Sequence, residues 1–171
     1  YSIDGTLSSQ FISALLIACP QLSQDTALMI TGEEMVSGDY IKMTESVLKK
    51  AGIKIQRKSA RQFYIRGKQK FKGLKNFTVP SDYGLAAFLM TPAALLPSEV
   101  TLEGYLKNNF IQADGAILNF LRKMGVKFTK TDRAIRIKGP FQLRGGNFSL
   151  KDCPDLVQIM AVLALFAKGS R

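Results

Sequence analysis

The chain has 171 residues, 46% of them hydrophobic, enough for one ordinary domain or two incomplete ones with a real core, which excludes a disordered polymer. Its 24 Lys and Arg against 13 Asp and Glu leave a net charge of +11, so a partner attracted at long range is negative: nucleic acid, a membrane surface or a phosphorylated metabolite. With no histidine, and only Cys19 and Cys153 outside any CxxC spacing, the sequence offers neither a zinc site nor a disulfide framework, and both thiols are expected to stay reduced in a cytosolic-type compartment.

The first element is an apolar helix through Ala14-Leu15-Leu16-Ile17, entered by Gly5-Thr6-Leu7-Ser8-Ser9-Gln10. A helix start presents N–H groups and partial positive charge, so small polar residues there suit an anion. Plain capping by Ser8 or Ser9 is the simpler role, and two serines plus a glutamine exceed it. A strand at Thr26–Ile30 follows. The segment Met35-Val36-Ser37-Gly38-Asp39-Tyr40 then brings a hydroxyl and a phenol to the start of a second helix, with Ser37 or Asp39 as its expected cap. That helix carries Ile41, Thr44, Val47, Leu48 and Ala51 on one stripe and ends at Gly52. A hairpin starts at Ile53–Ile55 and returns through Tyr64-Ile65-Arg66-Gly67; its Arg57, Lys58, Arg61 and Arg66 are expected to face water.

From Gly67 to Pro80 no helical period is present. Lys68, Lys70, Lys72 and Lys75 read there as a solvated connection, without the signature of an RNA- or DNA-binding module. A domain boundary is placed near Pro80. Beyond it the pattern returns: an apolar helix through Ala87-Phe88-Leu89-Met90, a strand at Val100–Leu102, a helix with Ile117, Phe120, Leu121 and Met124 on one face, Gly125, and a hairpin from Val126–Phe128 to Ile135-Arg136-Ile137-Lys138-Gly139. Gly125 follows Gly52 at a spacing of 73 residues, which also relates the leading helices. Ser9, Asp82 and Asp155 occupy matching helix starts and are expected N-caps. Met160-Ala161-Val162-Leu163 begins a third copy. The unit reads strand, helix, strand, helix, hairpin, a repeated α/β fold. Asp155, following Pro154, is the best general-base candidate.

Phe11–Cys19 and Leu85–Leu96, the longest apolar stretches, fall short of the roughly 20 residues that span a bilayer, and Pro92 interrupts the second. Tyr1 opens the chain without a signal-like segment and Gly169-Ser170-Arg171 follows directly on a helix, so both ends are expected to be cuts in a longer polypeptide.

Asp4-Gly5-Thr6-Leu7-Ser8-Ser9-Gln10-Phe11 followed by Ala14-Leu15-Leu16 resembles the hallmark segment of the enolpyruvylshikimate-phosphate synthase family. Val36-Ser37 with Tyr40-Ile41 resembles the family's second substrate loop, Gln112 with Asp114 its QGD helix start, and Pro154-Asp155 with Ala164-Leu165-Phe166-Ala167-Lys168-Gly169 its catalytic aspartate helix. The resemblance covers nearly the whole chain. It implies two domains of βαβαββ units, both incomplete here: 1–79 as the latter part of the shikimate-phosphate-binding domain and 80–171 as the first part of the second. It also implies transfer of the carboxyvinyl group of phosphoenolpyruvate to a hydroxyl of shikimate 3-phosphate through a tetrahedral intermediate, without metal or cofactor. By the same resemblance Ser8, Ser9 and Ser37 bind the substrate phosphate, Gln10 lies where both substrates meet, Tyr40 lines the shikimate pocket, and Asp155 engages the reacting hydroxyl and accepts its proton. The family's catalytic lysines and arginines fall outside this segment, so it is not expected to catalyse alone. A monomeric, cytoplasmic parent in aromatic amino acid biosynthesis, with no nucleic-acid or membrane partner, completes the expectation.

The chain departs from the family pattern in three places. Ser81-Asp82-Tyr83-Gly84-Leu85 stands for a Gly-Asp-x-Ser-Ser run, Ala113 for a glycine before Asp114, and Gly38-Asp39 for a Lys-Pro before Tyr40. These bear on substrate affinity more than on fold. Three rivals share the fold: a UDP-N-acetylglucosamine enolpyruvyl transferase, against which Ser8-Ser9-Gln10 argues; an RNA-end-binding protein such as the RNA phosphate cyclases, whose catalytic histidine has no counterpart; and a non-catalytic relative.

Overall fold

The computed structural model describes residues 1–33, 37–107 and 111–169. They fall into two compact units, Tyr1–Phe77 and Thr78–Arg171. The first runs β1 (Ser2–Asp4), α1 (Ser9–Ala18), β2 (Thr26–Thr31), α2 (Gly38–Lys50), β3 (Ile55–Arg57) and β4 (Gln62–Ile65), with sheet order β1-β2-β4-β3. Strands β1 and β2 are parallel, Ile3 opposite Ile30, and β4 runs antiparallel to both β2 and β3. A parallel pair needs a long crossover, which α1 supplies. Along β2 the burial alternates, Thr26, Leu28 and Ile30 inward and Ala27, Met29 and Thr31 outward, as the period of two demands. Ile12 and Leu16 of α1 and Ile41 and Leu48 of α2 close over Leu28, Ile30, Phe63 and Ile65. Each such side chain contributes about 1.5–3 kcal/mol on leaving water.

The second unit runs α3 (Tyr83–Leu95), β5 (Glu99–Glu103), α4 (Ala116–Lys123), β6 (Phe128–Lys130) and β7 (Ala134–Lys138), with sheet order β5-β7-β6. There follow β8 (Leu143–Arg144), a 3-10 turn at Pro154–Leu156 leading directly into α5 (Val157–Leu165), and β9 (Ala167–Lys168), parallel to β8. The third copy thus extends one strand past its helix and opens as the first does, strand, helix, parallel strand. Helix α3 continues through Pro92, which interrupts the apolar run in sequence but not the helix. An apolar groove of about 370 Å³ lies between α3 and α5, lined by Phe88, Pro92, Leu96, Ile159, Val162 and Phe166 among others. Cys19 and Cys153 are buried, and neither is in a disulfide.

The repeat is one of backbone hydrogen bonds as well as of letters. Gly52, at φ +85°, donates its N–H to the Lys49 carbonyl at 3.1 Å, and the Ile53 N–H reaches the Leu48 carbonyl at 2.9 Å. Gly125, at φ +95°, donates to Arg122 at 3.0 Å, and Val126 to Leu121 at 2.9 Å. Both are Schellman endings, in which two orphan carbonyls of the last turn are satisfied by a chain turning left-handed at a residue without Cβ.

Candidate functional site

After β1 the Asp4 carboxylate accepts from the Thr6 N–H and the Thr6 hydroxyl, both at 2.8 Å. Those bonds, the backbone one foremost, hold the Asp4 carboxyl below the usual range. The turn delivers Ser8 in extended backbone, φ −167°, and its Oγ accepts the Gln10 N–H at 3.2 Å. Ser8 is therefore the N-cap; Ser9, the first helical residue, is buried, and Gln10 is exposed.

The expected alignment of Ser9, Asp82 and Asp155 as caps holds only for Asp82, whose Oδ1 accepts the Leu85 N–H at 3.1 Å. In α1 the cap falls one residue earlier. Asp155 lies inside the 3-10 turn Pro154–Leu156, where the cap position is Cys153 with no side-chain cap bond. Pro154 explains the shift: its ring favours a first helical position and brings the chain into α5 through the tighter turn.

At the start of α2, Ser37 is buried and left-handed, φ +55°, and makes no side-chain cap bond. Such backbone costs a non-glycine residue about 1–3 kcal/mol and is concentrated at ligand sites. Asp39, the other expected cap, pairs with Lys42 at 2.8 Å on the surface. Tyr40, half-buried, follows in the first turn. Met35 and Val36 of that loop lie outside the described residues.

The loops after β1 and β2 touch. The Gly5 N–H donates to the Thr31 carbonyl at 2.9 Å. A Cβ on Gly32 would stand 2.6 Å from Asp4 Oδ1 and 2.7 Å from Thr6 Cγ2, so only glycine fits between the loops. Arg61 donates to the carbonyls of Gly32 and, at 2.6 Å, Glu33. Arg57 binds Glu45 at 2.8 Å and donates to the carbonyls of Ser59 and Ala60. Arg57 is exposed, as expected, and Arg61 half-buried; both are tied within the unit by these bonds. Burial raises the Glu45 carboxyl, and Arg57 opposes that rise.

The helix starts carrying Ser8, Ser9 and Gln10 on one side and Ser37 and Tyr40 on the other therefore leave the same carboxyl edge of the parallel pair β1–β2. That edge is where open α/β sheets bind ligands. Hydroxyls, backbone N–H groups and two helix dipoles can hold a phosphate there without a buried cation. Asp155 belongs to the second unit, exposed on the turn that follows β8.

Gln112 has a role in that unit that the sequence did not reveal. Its Oε1 accepts the Tyr83 N–H at 3.1 Å and its Nε2 donates to the Ser81 carbonyl at 2.9 Å, so one amide braces the start of α3. A Cβ on Gly84 would lie 3.1 Å from both Asp82 Oδ1 and Asp114 Oδ2, which is tight for the serine the family pattern has there. Leu85, at the second serine position, is 69% exposed. Among the described residues no three His, Cys, Asp or Glu side chains gather as a metal site, and no helix is long and apolar enough to cross a membrane.

Comparison with known proteins gives a consistent result. A family model described as EPSP synthase (3-phosphoshikimate 1-carboxyvinyltransferase) matches residues 1–171. A 3-phosphoshikimate 1-carboxyvinyltransferase from Methanothrix thermoacetophila is 41% identical over 170 residues, covering 98% of this chain and 39% of the relative. One from Methanococcus aeolicus is 35% identical over 172 residues, with 98% and 39% covered. Among solved structures, EPSP synthase from Acinetobacter baumannii has a TM-score of 0.67 at 23% identity, covering all of this chain and 39% of that one. The enolpyruvyl transferase NikO from Streptomyces tendae has a TM-score of 0.67 at 16% identity, with 98% and 42% covered. These two establish a shared fold. The chain spans about two fifths of the length of the relatives it matches.

Proposed function

The chain belongs to the EPSP synthase family, and from that membership we propose that its first unit supplies the phosphate grip for shikimate 3-phosphate in a 3-phosphoshikimate 1-carboxyvinyltransferase. The observation that carries the reading is the pair of helix starts at one sheet edge, Ser8-Ser9-Gln10 and Ser37 with Tyr40. Ser8, Ser9 and Ser37 hold the phosphate through hydroxyls and helix N–H groups. Gln10, exposed one residue on, reaches toward phosphoenolpyruvate, and Tyr40 lines the ring of shikimate.

In the reaction the substrate hydroxyl adds to C2 of phosphoenolpyruvate while C3 takes up a proton, giving a tetrahedral intermediate; loss of phosphate from C2 and of a proton from C3 leaves the carboxyvinyl ether. Asp155 takes the proton of the attacking hydroxyl, a role open to an exposed carboxylate as the oxygen becomes acidic on bond formation. Charge developing on the departing phosphate calls for cations, and we assign these to parts of the family's length that this chain does not span. The 171 residues bind the substrate and do not turn it over. The parent is read as a monomeric cytoplasmic enzyme using no metal or cofactor.

Calorimetric titration of shikimate 3-phosphate into the chain tests the assignment. The unsubstituted chain is expected to bind, and Ser8→Ala with Ser9→Ala to abolish binding. Unchanged affinity in the double variant refutes the site.

A further inference from the structure

Helices α1 and α2 meet through an apolar seam of Ile12, Leu16, Ile41 and Leu48, with a polar contact alongside it. Ser13 Oγ lies 2.8 Å from Thr44 Oγ1, part-buried, and the Thr44 hydroxyl donates to the Tyr40 carbonyl at 3.0 Å. A threonine has one proton to give, so Ser13 donates to Thr44. The relay runs from α1 through Thr44 to the backbone of Tyr40.

We propose that Ser13 and Thr44 are positioning residues that set the axial register of α1 against α2, and with it the separation of the two helix starts that hold the substrate phosphate. The proposal rests on the reading of those starts as a phosphate site. Ser13 sits one turn beyond Ser9 on the same face of α1, and Thr44 one turn beyond Tyr40 on α2. Apolar contact is non-directional and tolerates a small slide of one helix along the other, whereas a hydrogen bond weakens steeply outside a few tenths of an ångström. A single bond one turn below the site therefore converts a seam that could slip into a fixed distance between Ser8 and Ser9 on one side and Ser37 and Tyr40 on the other. Misplacement by about 1 Å is enough to degrade a site of this kind.

The test uses Thr44→Val, which keeps the shape and removes the hydroxyl, with Thr44→Ser as the conservative variant. Titration of shikimate 3-phosphate into the full 171-residue chain is expected to give roughly three- to tenfold weaker binding for Thr44→Val, which removes the bond from Ser13 together with that to the Tyr40 carbonyl, and near-normal binding for Thr44→Ser. In the ligand-free chain the amide resonances of Ser9 and Gln10, on the other helix, are expected to move with Thr44→Val. A Thr44→Val chain that unfolds earlier in urea yet binds with unchanged affinity overturns the proposal, as does a shift confined to α2. If the unsubstituted chain does not bind, the phosphate-site reading fails, and the amide shifts alone still decide whether the pair sets the register.

Discussion

Gly52→Ala and Gly67→Ala separate two reasons for a glycine within one unit. At Gly52 the backbone is left-handed, so alanine adds about 1–2 kcal/mol of conformational strain. The new Cβ would also meet Lys72 Cγ at 2.9 Å, a flexible side chain that can swing away. Gly67 has no left-handed backbone, yet a Cβ there would stand 2.5 Å from the Gln24 carbonyl oxygen and 2.6 Å from that of Leu22. Carbonyls cannot rotate out of the way. The segment must lift, weakening the bonds from Gly67 to Asp25 at 3.0 Å, from Lys68 to Leu22 at 2.8 Å and from Gln69 to Pro20 at 2.8 Å. Three bonds at about 1 kcal/mol each put the cost near 3 kcal/mol, within reach of what overpacking against backbone produces. Urea unfolding followed by circular dichroism, with the slope checked for constancy, measures both. For a unit of this size the added cost corresponds to a midpoint roughly 10 °C lower for Gly67→Ala than for Gly52→Ala. Equal destabilisation, or a worse Gly52→Ala, would show that backbone proximity is not what excludes a side chain at Gly67.

Asp25 accepts from the Tyr64 hydroxyl at 2.5 Å and from the Gly67 N–H, which together lower its carboxyl, and the bond to Asp25 raises the Tyr64 phenol. Its stabilisation is complete above the ordinary carboxylate value and is lost as pH falls through the lowered one, so Asp25→Asn should flatten the acid limb of a urea-midpoint profile below the ordinary carboxylate range; an unchanged limb contradicts this. Arg57→Met should push the already raised Glu45 carboxyl higher still, read by carbon NMR titration, and a fall would show that burial is not the main cause. Gln112→Ala strands the Tyr83 N–H and the Ser81 carbonyl and should cost the second unit about 1–3 kcal/mol in urea, against about 1 kcal/mol for loss of the Asp82 cap in Asp82→Ala.

The repeat was legible in the letters because it is written in residues with few alternatives: a glycine after each amphipathic helix, apolar stripes before it, basic hairpins after. Ser8 as a cap candidate was legible for the same reason, since the residue type and its place before an apolar run imply the bond. The misplaced caps at Ser9 and Asp155 have a common cause. Sequence offset fixes position to within a residue or two, whereas a cap is a matter of which single residue turns extended, and a proline moves that point. The commitments of Arg57, Arg61 and Gln112 were illegible because their partners are backbone carbonyls, a backbone N–H and a carboxylate on other elements. The left-handed Ser37 gives no sign in a sequence where glycine follows rather than occupies the strained position.

The Schellman ending at Gly52 and the helix start at Ser37 stand at opposite ends of α2, and this divides what selection can act on. Changes in hairpin length or charge are absorbed at the glycine-terminated end, where the chain has already been redirected and the carbonyls satisfied. Changes at the serine-bearing end leave that turn untouched. A duplicated unit built this way can diverge at its helix starts while every copy keeps the same frame: Ser8 caps α1, Asp82 caps α3, and Asp155 lies in the turn that enters α5.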